Sequence, residues 1–387
     1  MKTVHQFSIG DARKSKHIPP KSVDLVVTSP PYPMIQMWDD VFAAQDHDIQ
    51  KALDNRDGML AFERMNRLLD RVWDEVYRVL KFGGLACINI GDAVRTINDH
   101  FMLYPNHSRI LTKMLSIGFT PLPAIIWRKQ TNAPNKFMGS GMLPAGAYVT
   151  LEHEYVLILR KGGKREFQHE DEKQHRRKSA IFWEERNQWF SDVWMDLKGT
   201  VQKLDKQDVR NRSGAFPFEL PYRLICMYST QGDLVFDPFL GMGTTMLAAM
   251  AAGRNSMGVE LEKHFADPIV SRMETAVEIS NAGIAGRLEN HLAFVSGRIS
   301  SGKPVSHVNT HYGFPVVTAQ EKDLMIHSVE SIRPTGDHAF EAVYSDRPQD
   351  EFCRTWPENS MIPDSLPGKQ RPSKKTPVRK QIQLELL

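Results

Sequence analysis

Apolar positions along this chain fall into two patterns, short unbroken runs and longer stretches at helical spacing. Residues 23–28 (VDLVVT) form a β-rich run that stops at Pro30-Pro31, as a buried parallel strand does. Leu68, Leu69, Val72, Val76, Val79 and Leu80 then recur at helical spacing. They predict a helix from about Phe62 to Leu80, ended by Gly83-Gly84. Runs at 85–90 (LACINI), 124–127 (AIIW) and 155–159 (YVLIL) predict further strands, with a helix near 109–116 between the first two. From Arg160 to about Arg212 the period is lost, in a charged stretch that carries Trp183, Trp189, Phe190 and Trp194. It returns as a helix at 220–228, a strand at 234–237, a small-residue helix at 244–252 and a strand at 256–259. Phe265 to about Ser280 reads as the last core helix, and beyond Gly283 the chain reads as polar and irregular. Strands alternating with helices predict an α/β domain with a mostly parallel sheet.

Composition narrows the classes without choosing one. The 387 residues suffice for one large core or two smaller ones, and no internal repeat is visible. No apolar run approaches the ~20 residues of a membrane helix. The opening residues soon reach Asp11-Ala12-Arg13-Lys14 without a signal-peptide apolar stretch, so a cytoplasmic protein is expected. Cys87, Cys226 and Cys353 lie far apart and suit neither a disulfide framework nor a zinc site. His5, His47, His153, His169 and His175 form no ligand spacing, and no metal is expected. A net charge of +3 does not by itself imply nucleic acid. Lys369, Arg371, Lys374, Lys375, Arg379 and Lys380 do form a basic stretch without an intervening acid, of the usually solvated kind that can add phosphate affinity.

Two constellations carry chemistry. The first is Asp237-Pro238-Phe239-Leu240-Gly241-Met242-Gly243-Thr244-Thr245, where a strand ends and a helix begins. Glycines there let backbone approach a ligand, and the missing third glycine argues against a dinucleotide. Thr244 and Thr245 read as caps of a helix whose amides suit a small carboxylate. Glu260, closing the next strand, stands where an acid grips ribose hydroxyls. A plain tight turn is the competing reading of the glycines alone. The second constellation, Thr28-Ser29-Pro30-Pro31-Tyr32-Pro33, also follows a strand. Two prolines leave two peptide units without N–H donors, and Tyr32 can stack on a planar base. An exocyclic amino nitrogen is a poor nucleophile because its lone pair is delocalised into the ring. Acceptors on both of its N–H bonds, the Ser29 hydroxyl and the Pro30 carbonyl, would aim that lone pair at an electrophile. An inert Pro-Pro loop is the alternative.

Together these motifs resemble the amino-methyltransferases of bacterial and archaeal restriction–modification systems, over most of residues 3–280. The resemblance implies a catalytic tetrapeptide at Ser29, Pro30, Pro31 and Tyr32. Its serine form is typical of the branch that methylates cytosine N4, whereas the adenine-N6 branch usually has Asp or Asn first. It implies an S-adenosylmethionine site formed by Asp11, Phe216, Pro217, Asp237, Pro238, Phe239, Gly241, Gly243, Thr244, Thr245 and Glu260. Asn89-Ile90-Gly91-Asp92 and Ile126-Trp127-Arg128-Lys129 match further core motifs around the base pocket. The tetrapeptide precedes the cofactor loop, as in the family's β group, which implies a circularly permuted, Rossmann-like methyltransferase fold. The expected division is a catalytic half at 1–159, a target-recognition insertion at 160–212, a cofactor half at 213–283 and a C-terminal extension at 284–387. The run Pro33–Asp39 resembles archaeal-type enzymes of the cytosine branch that modify CTAG, and the loop Thr131–Tyr148 is expected to reach DNA or close over a flipped base.

The implied activity is site-specific methylation of duplex DNA at cytosine N4 by a monomer or homodimer. It would protect host DNA from a partner endonuclease acting on the same site without direct contact. Adenine N6, an RNA or protein substrate, and a catalytically silent DNA-binding module are the alternatives. Cytosine C5 chemistry needs a nucleophilic thiolate, commonly in a Pro-Cys pair, and no cysteine here follows a proline.

Overall fold

The computed structural model describes residues 1–129, 138–199 and 216–354. Strands β1 (Lys2–Ile9) and β2 (Val23–Thr28) lead to helices α1 (Asp39–Ala43), α2 (His47–Asp54) and α3 (Gly58–Val79), then to β3 (Leu80–Ile90). A hairpin of β4 (Ala93–Ile97) and β5 (His100–Tyr104) precedes α4 (Asn106–Ser116) and β6 (Phe119–Arg128). A shorter hairpin, β7 (Met138–Gly139) and β8 (Ala147–Tyr148), precedes β9 (His153–Lys161). Next come α5 (Glu170–Lys178), α6 (Trp183–Trp189), β10 (Val193–Trp194) and α7 (Glu219–Tyr228). The second half continues with β11 (Leu234–Asp237), α8 (Thr244–Ala251), β12 (Asn255–Glu260), α9 (Ala266–Glu274) and α10 (Ala276–Ser300). The small pair β13 (His307–Val308) and β14 (Pro315–Val316) leads to β15 (Val329–Gly336) and β16 (Ala339–Tyr344).

Ten strands form one sheet in the order β10-β6-β9-β3-β2-β11-β12-β1-β16-β15. Its centre, β3-β2-β11-β12-β1, is parallel, and β9 runs antiparallel between β3 and β6. Every residue of β2 is buried, which is why that strand reads as an unbroken apolar run. The chain winds from β2 outward to β3, and from β11 outward in the other direction to β12. The carboxyl ends of β2 and β11 therefore flank a topological switch point, where open α/β sheets bind ligands. Both constellations follow these two strands, which pair through Val235–Leu25 and Phe236–Val26. β1 lies against β12, so the first strand completes the sheet beside the last core strand, as the permuted motif order implies.

Four expectations need correction. Gly83-Gly84 does not end the helix. The turn comes at Leu80, whose extended backbone starts β3, and the glycines sit in an irregular register of that strand. The stretch after Arg160 is not without period: α5, α6 and β10 are regular, and β10 joins the sheet beside β6. Trp189 and Trp194 are buried in the core, so packing accounts for both. The last core helix is two helices, broken at Thr275. Residues 284–354 are not irregular either, because α10 runs through Gly283 and β16 pairs antiparallel with β1. The buried stripe of α10, Ala276, Ser280, Ile284, Leu288, His291 and Val295, mixes small and polar residues, which hides its period. The basic stretch 369–380 and residues 200–212 of the expected recognition segment lie outside the described residues.

Candidate active site

The two loops are bonded to each other at their roots. Thr28, the last residue of β2, donates from Oγ1 to Asp237 Oδ1 at 2.5 Å. Thr245 Oγ1 donates to Asp237 Oδ2 at 2.7 Å, and the Phe239 amide donates to Oδ1 at 3.0 Å. Asp237 thus spends both carboxylate oxygens on shaping its own loop and tying it to the strand that presents Ser29. Burial pushes its carboxyl up to about 6, against the lowering effect of those three donors. Gly241, at φ +52°, donates its amide to Glu260 Oε2 at 2.7 Å, and the Glu262 amide donates to Oε1 at 2.8 Å. Burial raises the Glu260 carboxyl as well. The Gly10 amide donates to the Glu260 carbonyl at 2.7 Å, which brings Asp11 to the same corner. Asp11 is ion-paired with Arg13; the pairing outweighs partial burial and lowers its carboxyl.

These tips surround a cleft of about 1170 Å³ that is continuous with solvent. Of the expected site residues, Asp11, Ser29, Pro30, Pro31, Phe216, Asp237, Pro238, Phe239, Gly241, Thr244 and Glu260 line it. Tyr32, Pro217, Gly243 and Thr245 are not among the residues that line it. Gly243 itself, at φ +75°, is the N-cap of α8, so the threonines are not caps. Thr245 serves Asp237, and the Thr244 hydroxyl accepts from Arg272 at 3.1 Å. The sequence reading missed the apolar wall: Trp38 and Val41 just after the tetrapeptide, Leu69 and Val72 of α3, and Phe265 after β12. The α3 pair shows in the helical stripe but is there indistinguishable from core. Backbone at Gly10 and Gly241 lies bare beside open space, where an added Cβ would meet no atom within 4 Å. A buried acid, bare backbone and apolar walls fit a nucleoside with a small charged tail.

Behind Ser29 lies a polar cluster that the motifs alone did not reveal. The Tyr32 hydroxyl donates to Glu154 Oε2 at 2.9 Å, and Asn89 Nδ2 lies 2.8 Å from Tyr32 Oη and 2.6 Å from Glu154 Oε2. Lys129 Nζ is paired with Glu154 Oε1. Ser29 Oγ lies 3.1 Å from Tyr32 Oη. Because the single phenolic hydrogen is committed to a carboxylate, Ser29 is the donor in that bond, and its lone pairs are left for the cleft. Burial, followed by the charge of Glu154, raises the Tyr32 phenol well above its ordinary range and keeps it neutral. Gly91 lets the ring pack closely, since a Cβ there would stand 3.0 Å from Tyr32 Cε2 and push it by a few tenths of an ångström. Asn106 Nδ2 donates to the Pro33 and Gly91 carbonyls, both at 3.0 Å, and fastens the loop's exit to the end of β3. Asn89 Oδ1 is buried with no hydrogen-bond partner among the described residues, a cost on the order of 1–3 kcal/mol that accompanies its service to Tyr32 and Glu154.

Known proteins are similar to this chain over most of its length. The family model described as DNA methylase, covering N6 and N4 methyltransferases, matches residues 23–271. The Type II methyltransferase M.MthZI of Methanothermobacter thermautotrophicus is 48% identical over 347 residues, 89% of this chain and 96% of its own. The Type II methyltransferase M.MjaI of Methanocaldococcus jannaschii is 48% identical over 272 residues, 67% of this chain and 88% of its own. Among solved structures, TTHA0409 of Thermus thermophilus, assigned as a DNA modification methylase and crystallised with S-adenosyl-L-methionine, is 32% identical. It superposes with a TM-score of 0.54 over 69% of this chain and 92% of its own.

Proposed function

Because the chain belongs to the DNA methylase family of N6 and N4 amino-methyltransferases, and so methylates DNA with S-adenosylmethionine as methyl donor, we propose that its target is cytosine N4 in duplex DNA. The observation that carries this reading is Ser29. A hydroxyl stands at the head of the tetrapeptide, in the cleft, with its hydrogen turned away toward Tyr32. It offers the target amino group an uncharged acceptor, and the Pro30 carbonyl would offer the second. When bound, S-adenosylmethionine supplies an electrophilic methyl group. Glu260 would take its ribose, Asp11 the adenine side, and the Gly241 loop with Phe216 its methionine end. The apolar wall excludes water, and the roots joined at Thr28 and Asp237 keep donor and acceptor loops in fixed relation.

The target base would leave the helix to reach the bottom of the cleft. Its site would be CTAG, which the likeness of the run Pro33–Asp39 to CTAG-modifying enzymes supports. We place the protein in a restriction–modification system, where it would shield host DNA from an endonuclease acting on the same site. The expected boundaries at residues 160, 213 and 284 are retained for function only, since β9 and α10 run through the first and last of them. Pre-methylated duplexes test the reading. A CTAG duplex already carrying N4-methylcytosine should take up no label from methyl-labelled donor, while one carrying N6-methyladenine should take up the normal amount. The reverse pattern would overturn the choice of base.

A further inference from the structure

The hydroxyl of Ser29 does not end in the cleft. It continues through Tyr32 Oη, 3.1 Å away, to Glu154 Oε2, a further 2.9 Å, as an unbroken O–H···O chain. We infer that this chain is the exit path of the proton released by the target nitrogen, with Glu154 as its terminal acceptor. The inference rests on the reading of Ser29 as the group that faces the amino nitrogen.

Methylation of an exocyclic amine leaves one hydrogen too many. As nitrogen forms its bond to the methyl carbon, the methyl–sulfur bond breaks with its electron pair going to sulfur. The nitrogen then carries the positive charge and must lose a proton. Ser29 cannot keep that proton, because a serine hydroxyl is a very weak base. It can accept one on a lone pair while passing its own hydrogen to Tyr32 Oη, and Tyr32 can in turn pass its phenolic hydrogen to Glu154. At the end each hydroxyl again holds one hydrogen, Glu154 is a neutral carboxylic acid, and the positive charge that arrived on sulfur is cancelled. Ionised tyrosine never forms, in keeping with the buried and neutral phenol.

The surroundings suit this path rather than a simple packing of Tyr32. Asn89 Nδ2 and Ser29 both donate to Tyr32 Oη, which leaves Glu154 as the acceptor for its hydrogen. Lys129 faces the other oxygen of Glu154 and holds the carboxylate in place. A base of this kind contributes roughly 10²–10⁴-fold where proton removal accompanies bond formation. Glu154 lies 122 residues from Tyr32 in sequence, at the start of β9, and only the antiparallel insertion of that strand beside β3 brings the two together.

The test is single-turnover methyl transfer to duplex DNA by the whole chain, in H₂O and D₂O, with the modified nucleoside identified by mass. Wild type should slow in D₂O. Glu154→Gln and Tyr32→Phe, both near-isosteric, should each lower the rate by at least about 10²-fold. Both should bind donor and duplex normally by fluorescence titration and lose the solvent isotope effect, and Glu154→Asp should recover part of the rate. Full wild-type rate in either isosteric variant, or a slow variant that keeps the wild-type isotope effect, would overturn the relay. A product identified as N6-methyladenine would sink the choice of cytosine while leaving the relay to be judged on the same rates.

Discussion

At the root of the glycine turn, Thr28 and Thr245 donate to the two oxygens of Asp237, whose carboxyl is pushed by burial up to about 6 from an ordinary 3.8. The folded protein therefore binds more protons than the unfolded chain between these values. The contribution of Asp237 to stability falls as pH rises from about 4 to about 6 and is level above, by an amount on the order of 3 kcal/mol. Asp237→Asn removes this titration. Relative to wild type, its denaturation midpoint should improve across that window and then run parallel; curves parallel throughout would refute the raised carboxyl. The role of this residue also shows where single-residue reading stopped. Ser29, Asp237 and Glu260 are legible because they end apolar runs, whereas the sequence does not say that both Asp237 oxygens are bonded to protein donors. Asn89 belongs to a segment matched to a core motif, but Glu154 carries no motif, and its partnership with Tyr32 and Asn89 exists only through strand pairing.

Among the elements, β2 and β11 were legible to the residue, since each is a short buried run closed by proline or by the acid of a turn. Thr131–Tyr148 lies partly outside the described residues, and its described part includes the β7–β8 hairpin. Tyr148 stacks on Phe101 of the β4–β5 hairpin at a centroid distance of 4.5 Å, and Arg95 of that hairpin pairs with Asp39, next to the cleft residue Trp38. The two hairpins thus stand together, tied through Asp39 to the segment that carries the cleft residue Trp38. Met142 and Leu143, between β7 and β8, are 85% and 70% exposed, so they are available as apolar wedges against a base stack. Met142→Ser with Leu143→Ser should weaken duplex binding by about tenfold or more, a loss of ~1.4 kcal/mol, with donor binding and melting temperature unchanged. Unchanged duplex affinity in a filter or anisotropy titration would remove this hairpin from the DNA interface.

At the scale of the whole molecule, the described residues beyond 283, 284–354, belong to the sheet and core rather than to an appendage. β16 covers β1, and Phe182, Leu288, Tyr312 and Phe314 share one cluster. Arg287 of α10 pairs with Glu185 of α6 at 2.5 and 2.7 Å, and both side chains are nearly buried. Glu185→Ala would strand a buried guanidinium and should cost about 3–5 kcal/mol by chemical denaturation, much of it recovered on replacing both partners with apolar residues. A loss below about 1 kcal/mol would show the pair to be a surface-like contact. The parallel core and the permuted motif order were legible because each half keeps its own strand and loop signals. The continuity of β9 past residue 160 was not, since its last residues are the charged Arg160 and Lys161, nor was that of α10, whose mixed small and polar stripe carries little period. The central claim is transfer of methyl to cytosine N4, and the most direct measurement is nucleoside mass analysis of duplex DNA treated with the purified chain and methyl-labelled donor. Label in N4-methylcytosine is the predicted result; label in N6-methyladenine alone would contradict it.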